Sequence, residues 1–159
     1  MRVRAATADD RPWIEGFLAD DGAIRVVRRG ELVRPLDYPM LIAEAADTEP
    51  AGLLTYIVGG GDCEVLTLHA TRQWAGAGTA LLAAVRDVAA DQGCRRLWLV
   101  TTNDNVDALR FYQRRGFRLA VLRPGAIDDA RRTLKPEISP VGEYGIPIRD
   151  EIELELPLD

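Results

Sequence analysis

A short, glycine-bearing turn between a strand-like run and a helix-like run constrains this chain more than any other feature. The run Cys63–Ala70 is rich in branched apolar residues, and five of the seven residues 73–79 are Ala, Gly or Thr. Behind them, apolar residues from Leu81 to Ala89 recur at the spacing of an amphipathic helix, which Gly93 ends. The order of strand, small-residue turn and helix predicts a tight junction between the two elements.

The N-terminus of such a helix is suited to binding an anion. Its first four N–H groups have no partner inside the helix, and they carry a partial positive charge. Gly76 and Gly78 remove the side chains that would keep an anion from the backbone. The turn lacks the lysine of a P-loop and the third glycine of a dinucleotide fingerprint. The residues alone leave two interpretations open: a phosphate site of another kind, or a turn whose glycines only permit close helix–sheet packing.

The remaining runs predict an α/β fold of the α+β type in one domain, residues 1–159. Three β-rich runs separated by turn residues predict an antiparallel meander, and residues 23–38 fit either a hairpin about Gly30 or an irregular loop. The predicted elements are a strand at Val3–Ala6, a helix to Leu18, strands within 40–45, 51–58 and 63–70, the helix after Gly78, a strand at Arg96–Thr101, a helix at Asn105–Arg115 and strands at 117–122 and 151–156. This order indicates a mixed, mostly antiparallel sheet with helices on its faces.

Charge and composition exclude several classes of partner. The chain has 20 basic and 25 acidic residues, a net charge of −5, and lacks the basic footprint of a nucleic-acid-binding protein. No run approaches the roughly 20 apolar residues of a membrane span, and the N-terminal residues have no apolar signal core. We therefore expect a cytoplasmic protein with no nucleic-acid or membrane partner. Cys63 and Cys94 have no metal-type spacing, so we interpret them as reduced structural residues and predict no metal site.

Two motifs in order give the chain a specific resemblance. Gln73-x-x-Gly76-x-Gly78 resembles the Q/R-x-x-G-x-G/A signature of the GCN5-related N-acetyltransferase (GNAT) superfamily, and the flanking Glu64-Val65-Leu66-Thr67-Leu68 and Leu81-Leu82 match as well. About 30 residues later, Asn105-x-x-Ala108-x-x-Phe111-Tyr112, followed by Gly116-Phe117, resembles the family's N-x-x-A-x-x-[FL]-Y motif. The match covers residues 40–122 well and the N-terminal part only by element order.

The resemblance implies the GNAT fold, a central sheet of about six to seven strands flanked by about four helices, and acetyl-CoA as cosubstrate. In the family, N–H groups of the turn hold the CoA pyrophosphate, and backbone groups at the end of the preceding strand pair with the pantetheine arm. The residues that it assigns to the cofactor are Leu68, His69, Ala70, Gln73, Trp74, Ala75, Gly76, Ala77, Gly78, Thr79, Asn105 and Tyr112. Arg72 or Arg110 is expected to meet phosphate charge. Ala75 departs from the family, where a basic residue is common, and this loss weakens the electrostatic attraction but leaves the backbone N–H groups in place.

The resemblance also implies an acid and a base. Tyr112 matches the family's general acid, because a phenol with an ordinary pKa near 10 is protonated at neutral pH and donates to the leaving thiolate; a core tyrosine beside Phe111 is the alternative. Glu64 is the favoured base, directly or through water, with His69, Glu44 and an amine deprotonated in bulk water as alternatives. Strand alternation puts Glu64 and His69 on opposite faces unless a bulge intervenes.

The implied function is transfer of an acetyl group to a primary amine of a small molecule, by direct attack in a ternary complex. A protein or peptide N-acetyltransferase and a non-catalytic acetyl-CoA-binding module are the alternatives, and a homodimer is possible. In the segment 124–150, the residues expected to contact the acceptor are Tyr144, Arg131, Arg132 and Glu137, with a solvated insertion as the alternative. The row Glu151, Glu153 and Glu155 is predicted to be a solvated strand face, with attraction of a cation as the alternative.

Overall fold

The computed structural model describes residues 1–71 and 76–159 and confirms the predicted fold class within them. Seven strands are hydrogen-bonded in the order β1-β4-β5-β6-β7-β9-β8, and β2 and β3 form a separate two-stranded sheet. The strands are β1 (Arg2–Ala5), β2 (Val26–Arg28), β3 (Glu31–Val33), β4 (Met40–Glu44), β5 (Pro50–Gly59), β6 (Asp62–Ala70), β7 (Arg96–Thr102), β8 (Arg118–Arg123) and β9 (Glu151–Pro157). The helices are α1 (Arg11–Asp20), α2 (Ala77–Asp91), α3 (Val106–Gln113) and α4 (Ala126–Thr133).

The described residues cluster into two compact units. The first unit holds residues 1–26, 34–97 and 158–159, and the second holds residues 27–33 and 98–157. Each is described by itself below, and the single domain over residues 1–159 stays a prediction. Of the two interpretations of residues 23–38, the hairpin is confirmed, because Arg29 and Gly30 turn the chain from β2 to β3 with φ values of 52° and 73°.

In the first unit, the predicted meander is confirmed and α1 covers one of its faces. Strands β1, β4, β5 and β6 pair antiparallel in succession. Ile42 lies opposite Leu53 in the β4–β5 pair, and both side chains are buried in one cluster with Ile14 and Leu18 of α1. The cluster forms because the apolar positions of α1 recur at helical spacing, while the alternating direction of strand side chains points Met40, Ile42 and Leu53 to the same face.

Helix α2 packs on the opposite face of the same strands, and Gly52 sets how close it comes. Successive residues of a strand point to opposite faces, so Gly52 faces α2 where Leu53 faces α1. A Cβ added at Gly52 would lie 3.0 Å from the carbonyl oxygen of His69, 3.0 Å from Cδ1 of Leu81 and 3.2 Å from Cβ of Ala77. The close approach of helix to sheet that the sequence predicted therefore depends on this strand glycine.

We expect Gly52→Ala to destabilise the protein by about 1–3 kcal/mol, because the added methyl group overpacks a contact with backbone and buried side chains. Urea unfolding followed by circular dichroism measures the change. Gly59→Ala is the matched control, since Gly59 ends the same strand and an added Cβ there meets nothing within 4 Å. Equal stabilities of the two variants would contradict this account of the helix approach.

In the second unit, the prediction of a solvated carboxylate row on β9 is wrong. Glu151 and Glu153 are only 2% and 3% exposed. The Arg123 guanidinium donates to Glu151 at 2.8 Å and to Glu153 at 2.9 Å, and the Arg29 side chain donates to Glu153 at 2.9 Å. The Arg29 guanidinium also lies 3.7 Å from the ring centroid of Trp98. The prediction that the carboxylates share one face of the strand is correct. That face is not solvated, because two arginines distant in sequence cover it.

This cluster makes the stability of the protein depend on pH. Burial acts to raise the pKa of Glu153, but hydrogen bonds from Arg123 and Arg29 outweigh it, and the pKa lies below its ordinary value. A carboxyl group with a depressed pKa contributes stability above its unfolded-state pKa, about 4.3 for glutamate, and this contribution is lost as the pH falls toward the folded-state value.

Glu153→Gln should therefore lower the free energy of unfolding by about 1–3 kcal/mol at pH 7, because two partly exposed arginines lose a charged acceptor that is itself buried. The difference from wild type should narrow below pH ~4.3 as wild type also loses the charge. Urea unfolding between pH 3 and pH 8 measures both effects. Glu155→Gln on the same strand is the control, since Glu155 faces the more exposed Arg118 at 3.7 Å. A constant difference between wild type and Glu153→Gln across this range would refute the assignment.

Candidate active site

The predicted site residues fall on elements of both units. In the first unit, Leu68, His69, Ala70 and Glu64 lie on β6, and Ala77, Gly78 and Thr79 form the first turn of α2 behind Gly76. In the second unit, Asn105 precedes α3 and Tyr112 lies near its end. Gln73, Trp74 and Ala75, together with Arg72, lie outside the described residues.

The start of α2 combines an accessible helix N-terminus with a glycine that its backbone geometry requires. Gly76 is the N-cap residue and has a φ of 87°, the left-handed conformation that glycine adopts without strain. Among the described residues, an added Cβ at Gly76 would meet nothing within 4 Å, so none of these residues demands a glycine here by packing. The first turn of α2 carries no acidic side chain, and its N–H groups face no negative charge of their own helix.

This geometry separates the two interpretations of the turn. The glycine that permits close helix–sheet packing is Gly52, which sequence reasoning missed, whereas no residue within 1–71 and 77–159 crowds a Cβ added at Gly76. The observation favours an anion site at Gly76, Ala77, Gly78 and Thr79, where a helix N-terminus attracts negative charge. The available signal for the packing role was a glycine near the start of a strand, two residues after a proline.

We expect Gly76→Val to weaken CoA binding at least about tenfold, because a branched side chain opposes the left-handed backbone and enters the open space over the N–H groups. Titration calorimetry with CoA measures the affinity. Gly93→Val is the matched control at the other end of α2: Gly93 has a φ of 72° and nothing within 4 Å of an added Cβ. The same backbone strain there should leave CoA affinity unchanged, and equal losses in the two variants would assign the effect to the helix rather than to the site.

A β-bulge in β6 changes which of its side chains share a face. Val65 lies opposite Tyr56 and Thr67 lies opposite Thr55, so Leu66 is an extra residue in β6. Before the bulge Glu64 lies opposite Ile57, and after it His69 lies opposite Leu53. Directly opposed residues point to the same face.

The bulge therefore brings the two base candidates together on one face. Ile57 and Leu53 are four residues apart in β5 and share a face, so Glu64 and His69 share it too. Leu53 packs with α1, which identifies this as the α1 face. The expectation that alternation separates Glu64 from His69 fails because of the one extra residue.

His69 is held by α1 in a defined orientation. Its Nδ1 lies 2.9 Å from Oδ2 of Asp21, directly after α1, and its ring meets Phe17 edge-on at 5.9 Å between centroids. Trp13 stacks on Phe17 at 5.0 Å. The Nε2 atom is buried and has no hydrogen-bond partner among the described residues. Burial lowers the pKa of His69 despite the opposing charge of Asp21, so the imidazole is neutral at pH 7.

The two carboxylate candidates for the general base, Glu64 and Glu44, differ in environment. Glu64 is only 2% exposed. Glu44, on β4, lies 3.2 Å from Nε of Arg4, which itself also pairs with Asp10. Glu44 is therefore part of an ion-pair cluster at the β1–β4 edge, and its carboxylate already neutralises a guanidinium.

In the second unit, α3 carries the two predicted residues of the second motif. Oδ1 of Asn105 accepts a hydrogen bond from the Ala108 amide at 3.2 Å and caps the helix. Tyr112 is 8% exposed and meets Phe111 and Phe117 edge-on at 5.1 and 5.3 Å. Burial raises the pKa of Tyr112 well above its ordinary value. The packing proposed as the alternative is present, and it keeps the phenol protonated.

The segment 134–150, which we name the strap, is tied to the residues around α3 and α4. Asn103 donates to the carbonyl of Pro147 at 2.9 Å and accepts from the amides of Arg149 and Asp150 at 2.9 Å. Arg131 donates to the carbonyls of Ile138, Ser139 and Ile148. The Arg131 side chain, one of the expected acceptor contacts, thus anchors the strap instead.

Tyr144 is the exposed aromatic residue at the bend of the strap. It is 70% exposed and has a φ of 56°, which costs a non-glycine residue about 1–2 kcal/mol. Its hydroxyl donates to Asp107 of α3 at 2.9 Å, and the buried Asp104 accepts from the neighbouring Glu143 amide at 3.0 Å. A strained backbone held at both sides is typical of a functional position.

Comparison with known proteins agrees with this geometry. A family model described as "Acetyltransferase (GNAT) family" matches residues 8–117. The uncharacterized protein YdhI of Bacillus subtilis is 50% identical over 104 residues, which cover 65% of this chain and 64% of YdhI. Among the described residues, no three His, Cys, Asp or Glu side chains form a group that suits a metal ion.

Two solved structures share the fold over nearly the whole chain. A Bacillus subtilis acetyltransferase in complex with CoA has a TM-score of 0.73 at 18% identity and 99% coverage of both chains. A GNAT family acetyltransferase from Elizabethkingia anophelis with acetyl-CoA bound has a TM-score of 0.71 at 20% identity, with 99% of this chain and 97% of that one covered. Since the family model also matches more than half of the sequence, this chain belongs to the acetyltransferase (GNAT) family.

Proposed function

We propose that the protein is an acetyl-CoA-dependent N-acetyltransferase that acts on a primary amine of a small molecule, by direct attack in a ternary complex. The observation that carries the proposal is the glycine-capped N-terminus of α2, open at Gly76. Family membership and the CoA and acetyl-CoA complexes of two proteins with this fold support it.

The residues at the start of α2 fit a CoA pyrophosphate. Backbone N–H groups of Gly76, Ala77, Gly78 and Thr79 would bind it, with Gln73, Trp74 and Ala75 completing the turn, because a helix N-terminus stabilises a diphosphate without a basic side chain. Backbone groups of Leu68, His69 and Ala70 would bind the pantetheine arm and the thioester carbonyl. Asn105 is proposed to contact the cofactor. Acetyl-CoA supplies the acetyl group as a thioester.

Tyr112 is proposed as the general acid. Its raised pKa keeps the phenol protonated, and a protonated donor is what a departing thiolate requires. A general base is also required, because the amine must lose a proton before its nitrogen attacks. Glu64 occupies the motif position for this base, and the bulge puts His69 on the same face of the sheet.

The strap supports a small acceptor. Its backbone is fixed by side chains of Asn103 and Arg131, and Tyr144 is presented to solvent with its hydroxyl bound to Asp107. An aromatic ring beside a carboxylate is suited to contacting a cationic amine. Tyr144 is therefore proposed to contact the acceptor.

A thiol-release assay with acetyl-CoA and a panel of amino acids, polyamines, aminoglycosides and peptides tests the function. Turnover of a small amine supports the proposal. Acetylation of a protein band with no small-amine turnover would favour a protein acetyltransferase, and CoA binding without any turnover would favour a non-catalytic module. No detectable CoA binding by wild type in calorimetry would refute the whole assignment.

Tyr112→Phe should lower kcat about 100-fold or more with an accepted amine, because the thiolate then leaves without a proton. CoA affinity should stay within about threefold of wild type, since the change removes one hydroxyl group from an aromatic cluster. Tyr56→Phe on β5 is the matched control and should keep wild-type kcat. An unchanged chemical step in Tyr112→Phe, measured in a single turnover, would show that another group is the acid.

Cytoplasmic location and a homodimer stay predictions. Within residues 1–71 and 76–159, no helix has the length and apolar character to span a membrane. Light scattering coupled to gel filtration determines the oligomeric state.

A further inference from the structure

We propose that His69, oriented by Asp21, is the base that takes the proton from the acceptor ammonium. The inference rests on the proposed function and adds to it a second residue, Asp21, that no motif indicates. It starts from one atom: Nε2 of His69 is buried and has no hydrogen-bond partner among the described residues.

The contact with Asp21 determines which nitrogen of the imidazole is available. A carboxylate only accepts hydrogen bonds, so the 2.9 Å contact between Oδ2 of Asp21 and Nδ1 of His69 requires the hydrogen on Nδ1. In the neutral ring, Nε2 then carries a free lone pair. A buried acceptor without a partner costs about 1–3 kcal/mol, and binding of an ammonium group at Nε2 would recover that cost.

The surroundings of His69 keep it neutral and ready to accept a proton. Phe17 packs against its ring and Trp13 stacks on Phe17, while Leu53 lies opposite it in β5. These apolar groups lower the pKa of His69, and Asp21 is the charged side chain that opposes them. Glu64 and Asp62 are the other titratable groups that the β5–β6 register places on this face, opposite Ile57 and Gly59 of β5. A neutral imidazole has a lone pair that can accept a proton, as a general base requires.

The position on β6 favours His69 over Glu64. The His69 side chain is 24% exposed, although its Nε2 atom is buried, whereas Glu64 as a residue is 2% exposed and lies five positions earlier on β6. Thr55 and Thr67, hydrogen-bonded to each other at 2.8 Å, lie between them on the same face. Glu64 is thus enclosed in the sheet, while His69 lies near the end of the strand, at the side of the anion site.

The proton balance of the reaction closes with these two groups. The acceptor ammonium first gives one proton to Nε2 of His69, which becomes imidazolium and later releases it to water. The neutral nitrogen then forms its bond to the thioester carbonyl carbon and the C–S bond breaks. The thiolate takes the phenolic proton of Tyr112, and the phenolate regains a proton from the acylated nitrogen. The last proton stays on the amide product.

The hydrogen-bonded pair of His69 and Asp21, which we name the dyad, is directly testable because His69 is the only histidine of the chain. A long-range ¹H–¹⁵N spectrum of the full-length protein reports one imidazole, its tautomer and its titration. We expect the Nδ1–H tautomer at pH 8 and an apparent pKa below 6.5, falling further in Asp21→Asn because the negative charge that opposes burial is removed. An Nε2–H tautomer in wild type, or an unchanged titration in Asp21→Asn, would overturn the dyad whether or not an acceptor is known.

The catalytic role is tested with two kinds of amine. Ethanolamine and spermidine are protonated at pH 7 and need a base, whereas hydroxylamine is already neutral. His69→Gln should lower kcat/KM about 100-fold or more with the accepted protonated amine and less than about threefold with hydroxylamine. In the same variant, the fall of kcat/KM at low pH that protonation of His69 causes in wild type should be absent. Equal losses of kcat/KM for both amines, or no loss for either, would overturn the role of His69 as the base. A selective loss with the protonated amine in Glu64→Gln, and not in His69→Gln, would assign the base to Glu64.

Calorimetry separates this inference from the proposed function. His69→Gln should bind CoA as wild type does, because its backbone is unchanged. If wild type itself binds no CoA, the proposed function fails and the catalytic role of His69 fails with it, while the tautomer measurement still decides the dyad. If His69→Gln alone loses CoA binding, His69 is a cofactor contact and the base assignment is refuted.

Discussion

The register between β5 and β6 governs which side chains the first unit can use for chemistry. Leu66 is one residue more than the partner strand accommodates, and the alternation of β6 reverses at that point. Because of it, Glu64, Thr67 and His69 face α1 together. A strand without this bulge would turn Glu64 toward α2, among apolar side chains, where a carboxylate has no partner that offsets its desolvation.

The two faces of the meander then carry different tasks. On the α2 face, Gly52 lets the helix start close to the sheet, and the helix N-terminus supplies positive potential without a charged side chain. On the α1 face, Trp13 and Phe17 shield an imidazole that Asp21 orients.

Local sequence patterns predicted the helices and strands, whereas contacts between residues distant in sequence determine the strand register and the partners of the site residues. The glycines of the turn, the helical spacing after Gly78 and the second motif were sufficient for the fold class and for the helix N-terminus at Gly76. The bulge at Leu66 was not predictable, because alternation in the sequence looks the same with either register. The partners of Glu153 and His69 were missed for a related reason: Arg29 and Asp21 lie far away in sequence, and a strand pattern does not tell what covers each face.

The way the strap is anchored affects how its sequence can change during evolution. Asn103 and Arg131 hold it through main-chain carbonyls and amides, which every residue type provides except for the amide of proline. Most strap side chains can therefore be exchanged without loss of these anchors. Gly142 is an exception, since an added Cβ would collide with the Asp104 carboxylate. Point substitutions near Tyr144 can therefore change the surface that the strap presents to solvent while its main-chain anchors stay the same.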